Sequence, residues 1–212
     1  MSRLYRCCQA LVRAGWPVVG GRLHVQGMEN IPSTGPFLLI ANHQSVLDPI
    51  LIQAVCPRVL HTMAKSTQFL SPPMRWLMAR LHSFPVRRFE IDPQAVRHAL
   101  RRLEEGQGVG IYIEGERSWD GRLQAPRRGT VRLILRAGVP VVPTAIAGSY
   151  EAWPRWARGP RRADVAIVFG QPLRWPAVRD RREREALVDA AASQLMSRLS
   201  DLLSAASRLR GG

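Results

Sequence analysis

Residues 37–48 read FLLIANHQSVLD. The first five, Phe37–Ala41, form a continuous apolar run, the pattern of a strand buried on both faces. Polar residues follow at once. Asp48-Pro49 then reads as a helix start, with Asp48 as N-cap and Pro49 at the first position. A buried strand, a polar turn and a helix open an α/β unit, whose functional groups gather at the strand's C-terminal end. His43 stands at that end, five residues before Asp48. On a regular helix that offset would put the two about 140° apart. They meet only if the residues between them turn and Asp48 begins the helix. Asp48 can then hold one ring nitrogen of His43 and leave the other to remove a proton. A dyad with no protein nucleophile beside it suits activation of a substrate hydroxyl. Taken singly, each residue has a plainer explanation, as a filler histidine and a capping aspartate.

The same grammar recurs along the chain. Val109–Ile113 (VGIYI) is a second buried run, and Glu114-Gly115-Glu116-Arg117-Ser118 follows it directly. Arg117 can clamp a phosphate bidentately, Glu114 can orient it or bind a hydroxyl, and Gly115 permits close backbone approach. Two more basic clusters follow strands: Arg87-Arg88, and Arg127-Arg128 at the start of a helix able to hold an anion. Further strands are expected at Arg22–Gln26, Arg58–Ala64, Val139–Ala147 and Ala163–Phe169. Helices are expected through Val55, over 66–81 with a break at Pro72-Pro73, from Asp92 to Glu105, over 129–137 and over 183–209. The alternation predicts an α/β fold with a mixed, largely parallel sheet flanked by helices. No Gly/Ser-rich linker divides it. Residues 1–21 are set apart as an N-terminal helix, and 22–212 as one domain closed by a covering helix.

The chain has 212 residues, 46% hydrophobic and 22% charged. That composition excludes a disordered or low-complexity chain. No apolar run reaches the ~18 residues of a spanning helix. The net charge is +15, and only Lys65 among the 31 basic residues is lysine. Such a surplus favours polyanions: nucleic acid, anionic lipid or phosphorylated substrates. Aromatic residues are 7% and the arginines are scattered, so the stacking face of a nucleic-acid binder is missing and nucleic acid is not the expected partner. The cysteines (Cys7, Cys8, Cys56) form no CxxC, which argues against a disulfide scaffold or zinc site. No metal is expected. Residues 3–16 are amphipathic. Leu4, Cys8, Leu11, Val12 and Trp16 share one face opposite Arg3, Arg6 and Arg13, a pattern for lying on a membrane or packing on the domain. Trp153, Trp156 and Trp175, among arginines, fit an interfacial surface or ordinary packing. The stripe Val188, Ala192, Leu195, Leu199, Leu202, Ala206, Leu209 either covers the domain or joins a homodimer.

The order of these segments resembles that of the bacterial 1-acylglycerol-3-phosphate acyltransferase family, over about Val25 to Gly170. Its NHxxxxD motif stands as Asn42 to Asp48, its EGTRS motif as Glu114 to Ser118, and VPVVP as Val139 to Pro143. A further motif ends in an arginine after a strand, matched by Arg88, with Arg87 in place of an acidic residue. Lys65 matches a lysine before the family's second helix, and Arg127 falls where a lysine is usual. The resemblance implies acyl transfer from acyl-CoA or acyl carrier protein to a lysophospholipid hydroxyl, with His43 as general base and Asp48 its partner. The same chemistry on another lysolipid or hydroxylated lipid stays open. Arg88, Glu114, Gly115, Arg117 and Ser118 would hold phosphate and glycerol, with Lys65, Arg87 and Arg127 beside them. No bound cofactor is implied. The expected location is peripheral, on an anionic membrane surface at the cytoplasmic face of the inner membrane. Glu116 departs from the family's threonine and brings a negative charge, which Arg87 and Arg127 are expected to offset.

Overall fold

A computed structural model describes residues 3–87 and 92–211. Helix α1 (Arg3–Val19) precedes a single sheet built from β1 (Leu23–Gln26), β2 (Phe37–Ala41), β3 (Leu60–Lys65), β4 (Ser83–Val86), β5 (Gly108–Tyr112), β6 (Val141–Ala147) and β7 (Val165–Phe169). Between them lie α2 (Leu47–Val55), α3 (Pro72–Arg80), α4 (Pro93–Glu104), α5 (Arg128–Ala137) and the short α6 (Ser149–Ala152), and α7 (Arg181–Gly211) closes the chain. The strand order is β1-β7-β6-β2-β5-β3-β4. Among the strand pairs of the described residues, β6–β7 alone is antiparallel. The mixed, largely parallel α/β sheet expected from the sequence is the one observed.

The period of two along β2 builds both layers of the core. Phe37, Leu39 and Ala41 point to a cluster with Trp16 of α1 and Leu51 and Ile52 of α2. Leu38 and Ile40 point to the other face, against Ala99 of α4, Ile134 of α5 and Leu195 of α7. All five β2 residues and all seven of β6 are buried, which is why β2 is continuously apolar and β6 is apolar but for Thr144. Asp92 caps α4 as expected, accepting from the Gln94 and Ala95 N–H groups.

The ends of the chain differ in detail from the sequence reading. The apolar face of α1 divides in two. Tyr5, Gln9 and Trp16 are buried, with Val12 packed beside them. Leu11 and Val18 face outward, at 71% and 76% exposed. Val188, Leu195, Leu199 and Ala206 of α7 are buried against this chain's own sheet and α5. Trp153 and Trp175 likewise pack on the core, whereas Trp156 is exposed.

Strand β5 begins at a glycine for a steric reason. A Cβ at Gly108 would stand 2.5 Å from the Phe37 ring. Gly108→Ala is therefore expected to cost about 1–3 kcal/mol through overpacking. Urea unfolding measures it, and an unchanged midpoint would contradict this packing.

Candidate active site

Strands β2, β5, β3 and β4 are adjacent and parallel, so their C-terminal ends share one edge of the sheet. That edge carries His43 after β2, Glu114 after β5, Lys65 at the end of β3 and Arg87 after β4. Asn42 holds the first of these in place. Its side chain donates to the Ile146 carbonyl and accepts the Ile146 N–H, both at 2.9 Å. It thereby carries the β2–β6 pairing past the end of the ladder.

Asp48 is not the N-cap that the sequence suggested. Helix α2 already starts at Leu47, with Val46 in the cap position, and Asp48 lies in the first turn. The Leu47 N–H is taken by Ser45 Oγ at 3.2 Å. Asp48 instead points backward into the preceding turn. Its Oδ2 accepts the N–H groups of Gln44 (2.6 Å) and Ser45 (2.8 Å) and lies 2.7 Å from His43 Nδ1. An oxygen gathering two backbone donors acts as an acceptor, so Nδ1 carries the proton and donates it. Nε2 is then the acceptor nitrogen. Both side chains are nearly sealed, at 6% exposed for His43 and 0% for Asp48. The imidazole stacks on Tyr112, with 4.1 Å between ring centroids. Ser45 Oγ donates to the Trp153 carbonyl at 2.7 Å, which commits it to the loop.

The segment after β5 folds down onto this pair. The Ser118 N–H donates to the His43 carbonyl at 2.8 Å, and Ser118 Oγ donates to Asp120 at 2.9 Å. Gly115 has φ +74°, and a Cβ there would meet Arg127 Cγ at 2.9 Å. Arg127 Nε donates to the Glu114 carbonyl at 3.1 Å. Glu114 itself is 3% exposed, and its carboxyl accepts from the Gln124 backbone N–H at 3.3 Å. Burial, with Asp48 and Asp120 nearby, pushes its pKa up to about 8. At neutral pH it is mostly protonated and adds little negative charge to the site.

Glu116, the departure from the family pattern, is clamped from two sides. Arg127 and Arg155 each reach one of its carboxylate oxygens at 3.4 Å. Arg155 also donates to the Arg117 carbonyl at 2.9 Å and lies over the Trp119 ring at 3.4 Å. Arg87, expected to offset Glu116, turns elsewhere: its N–H donates to Asp92 and its Nε lies 3.7 Å from the same carboxylate. The contact with Arg155 spans 39 residues, beyond what motif spacing reports.

Two cavities meet at His43, Met63 and Tyr112. One, of about 410 Å³, lies between α1, α2, β3 and α3 and is walled by Tyr5, Val12, Ile50, Leu77 and Leu81; Lys65 and Arg117 line it. The other, of about 520 Å³, lies towards α4 and α5 and contains Arg87, Gly115 and Arg127. The candidate phosphate residues are therefore split, with Lys65 and Arg117 on one side of the histidine and Arg87 and Arg127 on the other. Arg88 lies outside the described residues. Tyr112 and Met63 carried no sequence signal of their own, and Arg155, which the sequence groups with Trp153 and Trp156 on an interfacial surface, instead turns inward to Glu116 and the Arg117 carbonyl. Among the described residues no cluster of three or more His, Cys, Asp or Glu is placed to hold a metal.

Glu114 makes the fold sensitive to pH. Its pKa is about 8 when folded against an ordinary 4.5, so between those values the folded chain binds the proton more tightly. Stability from this group is full below about pH 4.5 and is lost as pH rises through about 8. Glu114→Gln keeps an acceptor for the Gln124 N–H but cannot ionise. Urea melts across that window are expected to show a smaller loss for the variant. Equal pH slopes for variant and wild type would contradict the buried, protonated state.

Comparison with known proteins shows the family and the fold. The profile of the family described as Acyltransferase matches residues 22–147. The chain is 30% identical over 155 residues to the chloroplastic 1-acyl-sn-glycerol-3-phosphate acyltransferase BAT2 of Brassica napus, covering 70% of this chain and 44% of that one. It spans 44% of the corresponding Arabidopsis thaliana LPAT1 as well. The 1-acyl-sn-glycerol-3-phosphate acyltransferase of Bacillus subtilis is 26% identical over 204 residues, 94% of this chain and 98% of that one. The crystal structure of the 1-acyl-sn-glycerophosphate acyltransferase PlsC from Thermotoga maritima superposes with a TM-score of 0.74 at 22% identity, covering 92% of this chain and 79% of that one, a likeness of fold. With a matched profile over more than half its length, the chain belongs to the acyltransferase family.

Proposed function

We propose that this protein transfers a fatty acyl group from a thioester donor to the free hydroxyl of 1-acylglycerol-3-phosphate, forming phosphatidic acid. The observation that carries this reading is the buried His43–Asp48 pair at the junction of two cavities, one apolar and one rich in arginine. A two-substrate transfer needs both reactants to reach one base from different sides. The relatives named above support 1-acylglycerol-3-phosphate as the acceptor.

His43 Nε2 takes the proton of the acceptor hydroxyl as its oxygen attacks the thioester carbonyl. Asp48 stabilises the imidazolium that forms. The tetrahedral intermediate then collapses, the C–S bond breaks, and His43 returns the proton to the departing thiolate. No protein nucleophile is involved. The apolar cavity accommodates a hydrocarbon chain, and Lys65 and Arg117 meet the acceptor phosphate. Neither cation makes a side-chain ion pair among the described residues. The protonated Glu114 and the clamped Glu116 keep negative charge from opposing that phosphate. Arg155 acts through Glu116 and the Arg117 carbonyl as a positioning residue.

Helix α1 links the cavity to a membrane surface. Tyr5 and Val12 form part of the apolar wall, while Leu11 and Val18 face outward beside exposed Arg3, Arg6 and Arg13. An apolar stripe bordered by arginines suits peripheral attachment to anionic lipid. Among the described residues no helix is long and apolar enough to cross a membrane.

Two measurements test this reading. His43→Ala is expected to lower phosphatidic acid formation by at least about 10²–10⁴-fold, the range of general-base catalysis, in a protein that still folds but with a lower unfolding midpoint, because buried Asp48 loses one of its three donors. Full activity in the folded variant would contradict the mechanism. Leu11→Asp combined with Val18→Asp is expected to reduce co-sedimentation with phosphatidylglycerol vesicles at unaltered thermal stability. Undiminished sedimentation would remove α1 as the attachment surface.

A further inference from the structure

A single acceptor phosphate does not account for the extent of the arginine-lined cavity. From His43 and Tyr112 it passes Ala95 and Leu133 and reaches Arg136 and Arg184. A second depression, of about 810 Å³, shares Arg136 and Arg184 and continues past Leu100, Leu103 and Val139 to Arg179. The two form one groove along α4 and α5, leading away from the reacting edge of the sheet. On α5, Arg128, Arg132 and Arg136 recur every fourth residue and so share a face about 12 Å long at 1.5 Å per residue.

The charges along that face are not equivalent. Arg128 and Arg132 are paired with Glu185 at 2.8 Å, and Arg128 also meets Asp189. Neither Arg136 nor Arg184 has a carboxylate partner among the described residues. Arg184 Nη1 instead donates to the carbonyls of Val178 (2.8 Å) and Arg179 (3.1 Å). Those bonds orient the guanidinium without neutralising it. The groove thus runs from His43 past a middle walled in part by Ala95, Val96 and Leu133 to two guanidiniums without a carboxylate partner at its far end, beside Leu100, Leu103 and Val139, with Glu104 also lining that end.

We propose that this groove binds the coenzyme A portion of the acyl donor. The pantetheine arm lies between α4 and α5. Its phosphates meet Arg136 and Arg184, which present forked donors suited to phosphate oxygens. The adenine enters the distal depression against Leu100, Leu103 and Val139. A carrier protein would thread only its phosphopantetheine arm into the groove and leave that depression without an occupant, so the structure favours the nucleotide-bearing donor. This assignment rests on the acyl-transfer reading for its donor class, and it accounts for a part of the basic surplus that the acceptor site does not use.

The test is calorimetric binding of coenzyme A to the full chain, with no acceptor and no turnover. Arg136→Ala combined with Arg184→Ala is expected to weaken binding by about tenfold or more per guanidinium, the scale of hydrogen bonds to charged groups. In assays, KM for acyl-CoA is expected to rise while KM for the lysophospholipid stays unchanged. Arg136→Glu alone, at an exposed position, gives the same readout should the double variant fail to fold. Wild-type affinity in the variants, or a rise in the acceptor KM instead, would overturn the assignment. So would a wild-type protein that uses acyl carrier protein and does not bind coenzyme A. A protein that binds coenzyme A through these arginines yet forms no phosphatidic acid would keep the groove and overturn the acyl-transfer reading.

Discussion

Three donors converge on one carboxylate oxygen, and the site depends on that convergence. Asp48 Oδ2 gathers two backbone N–H groups and the His43 ring within 2.8 Å. The N–H groups fold the 43–47 turn, and that turn brings residues five apart into contact. The same oxygen therefore shapes the loop and sets the tautomer of the proposed base. In a site sealed this tightly, an unpaired carboxylate would be costly, and the three bonds are what make its burial tolerable. The loop after β5 completes the enclosure through the Ser118 N–H on the His43 carbonyl.

Around that pair the protein separates its cations by position. Arg117 and Lys65 face the apolar cavity, and Arg87 and Arg127 face the arginine-lined one, with His43, Met63 and Tyr112 between them. The surplus of +15 is therefore distributed over distinct surfaces: one on each side of the proposed base, one along α5, and one on the outer side of α1. Glu116, which looks unfavourable beside a phosphate site, is held by Arg127 and Arg155. In this chain a charged network stands where the family's usual threonine would place a neutral side chain.

Much of the sheet was legible because its inner strands are buried on both faces. Phe37–Ala41 and the VGIYI run could be little else, and Asp92 announced its helix through an ordinary capping pattern. The motif residues could be placed at the strand ends for the same reason. Asp48 was read as a cap because Asp-Pro at a helix start has that local meaning. Its second expected task, holding a ring nitrogen of His43, depends on the turn between them closing, and the two backbone N–H groups on Oδ2 that close it have no sequence signature. The division of the arginines between two cavities, the clamp of Arg155 on Glu116 and the burial of Glu114 all depend on contacts between segments far apart in the chain. The amphipathic pattern of residues 3–16 showed a wide apolar face, but a helical wheel cannot show which half of it the domain covers.

The central claim is that a hydroxyl of a lysophospholipid, rather than water, receives the acyl group. The most direct measurement follows thiol release and lipid product together, with purified protein, acyl-CoA and 1-acylglycerol-3-phosphate in mixed micelles. Thiol and phosphatidic acid are expected to appear in equal amounts, with no thiol released when the acceptor is left out. Thiol release that does not need the acceptor and yields free fatty acid would contradict acyl transfer and identify a thioesterase.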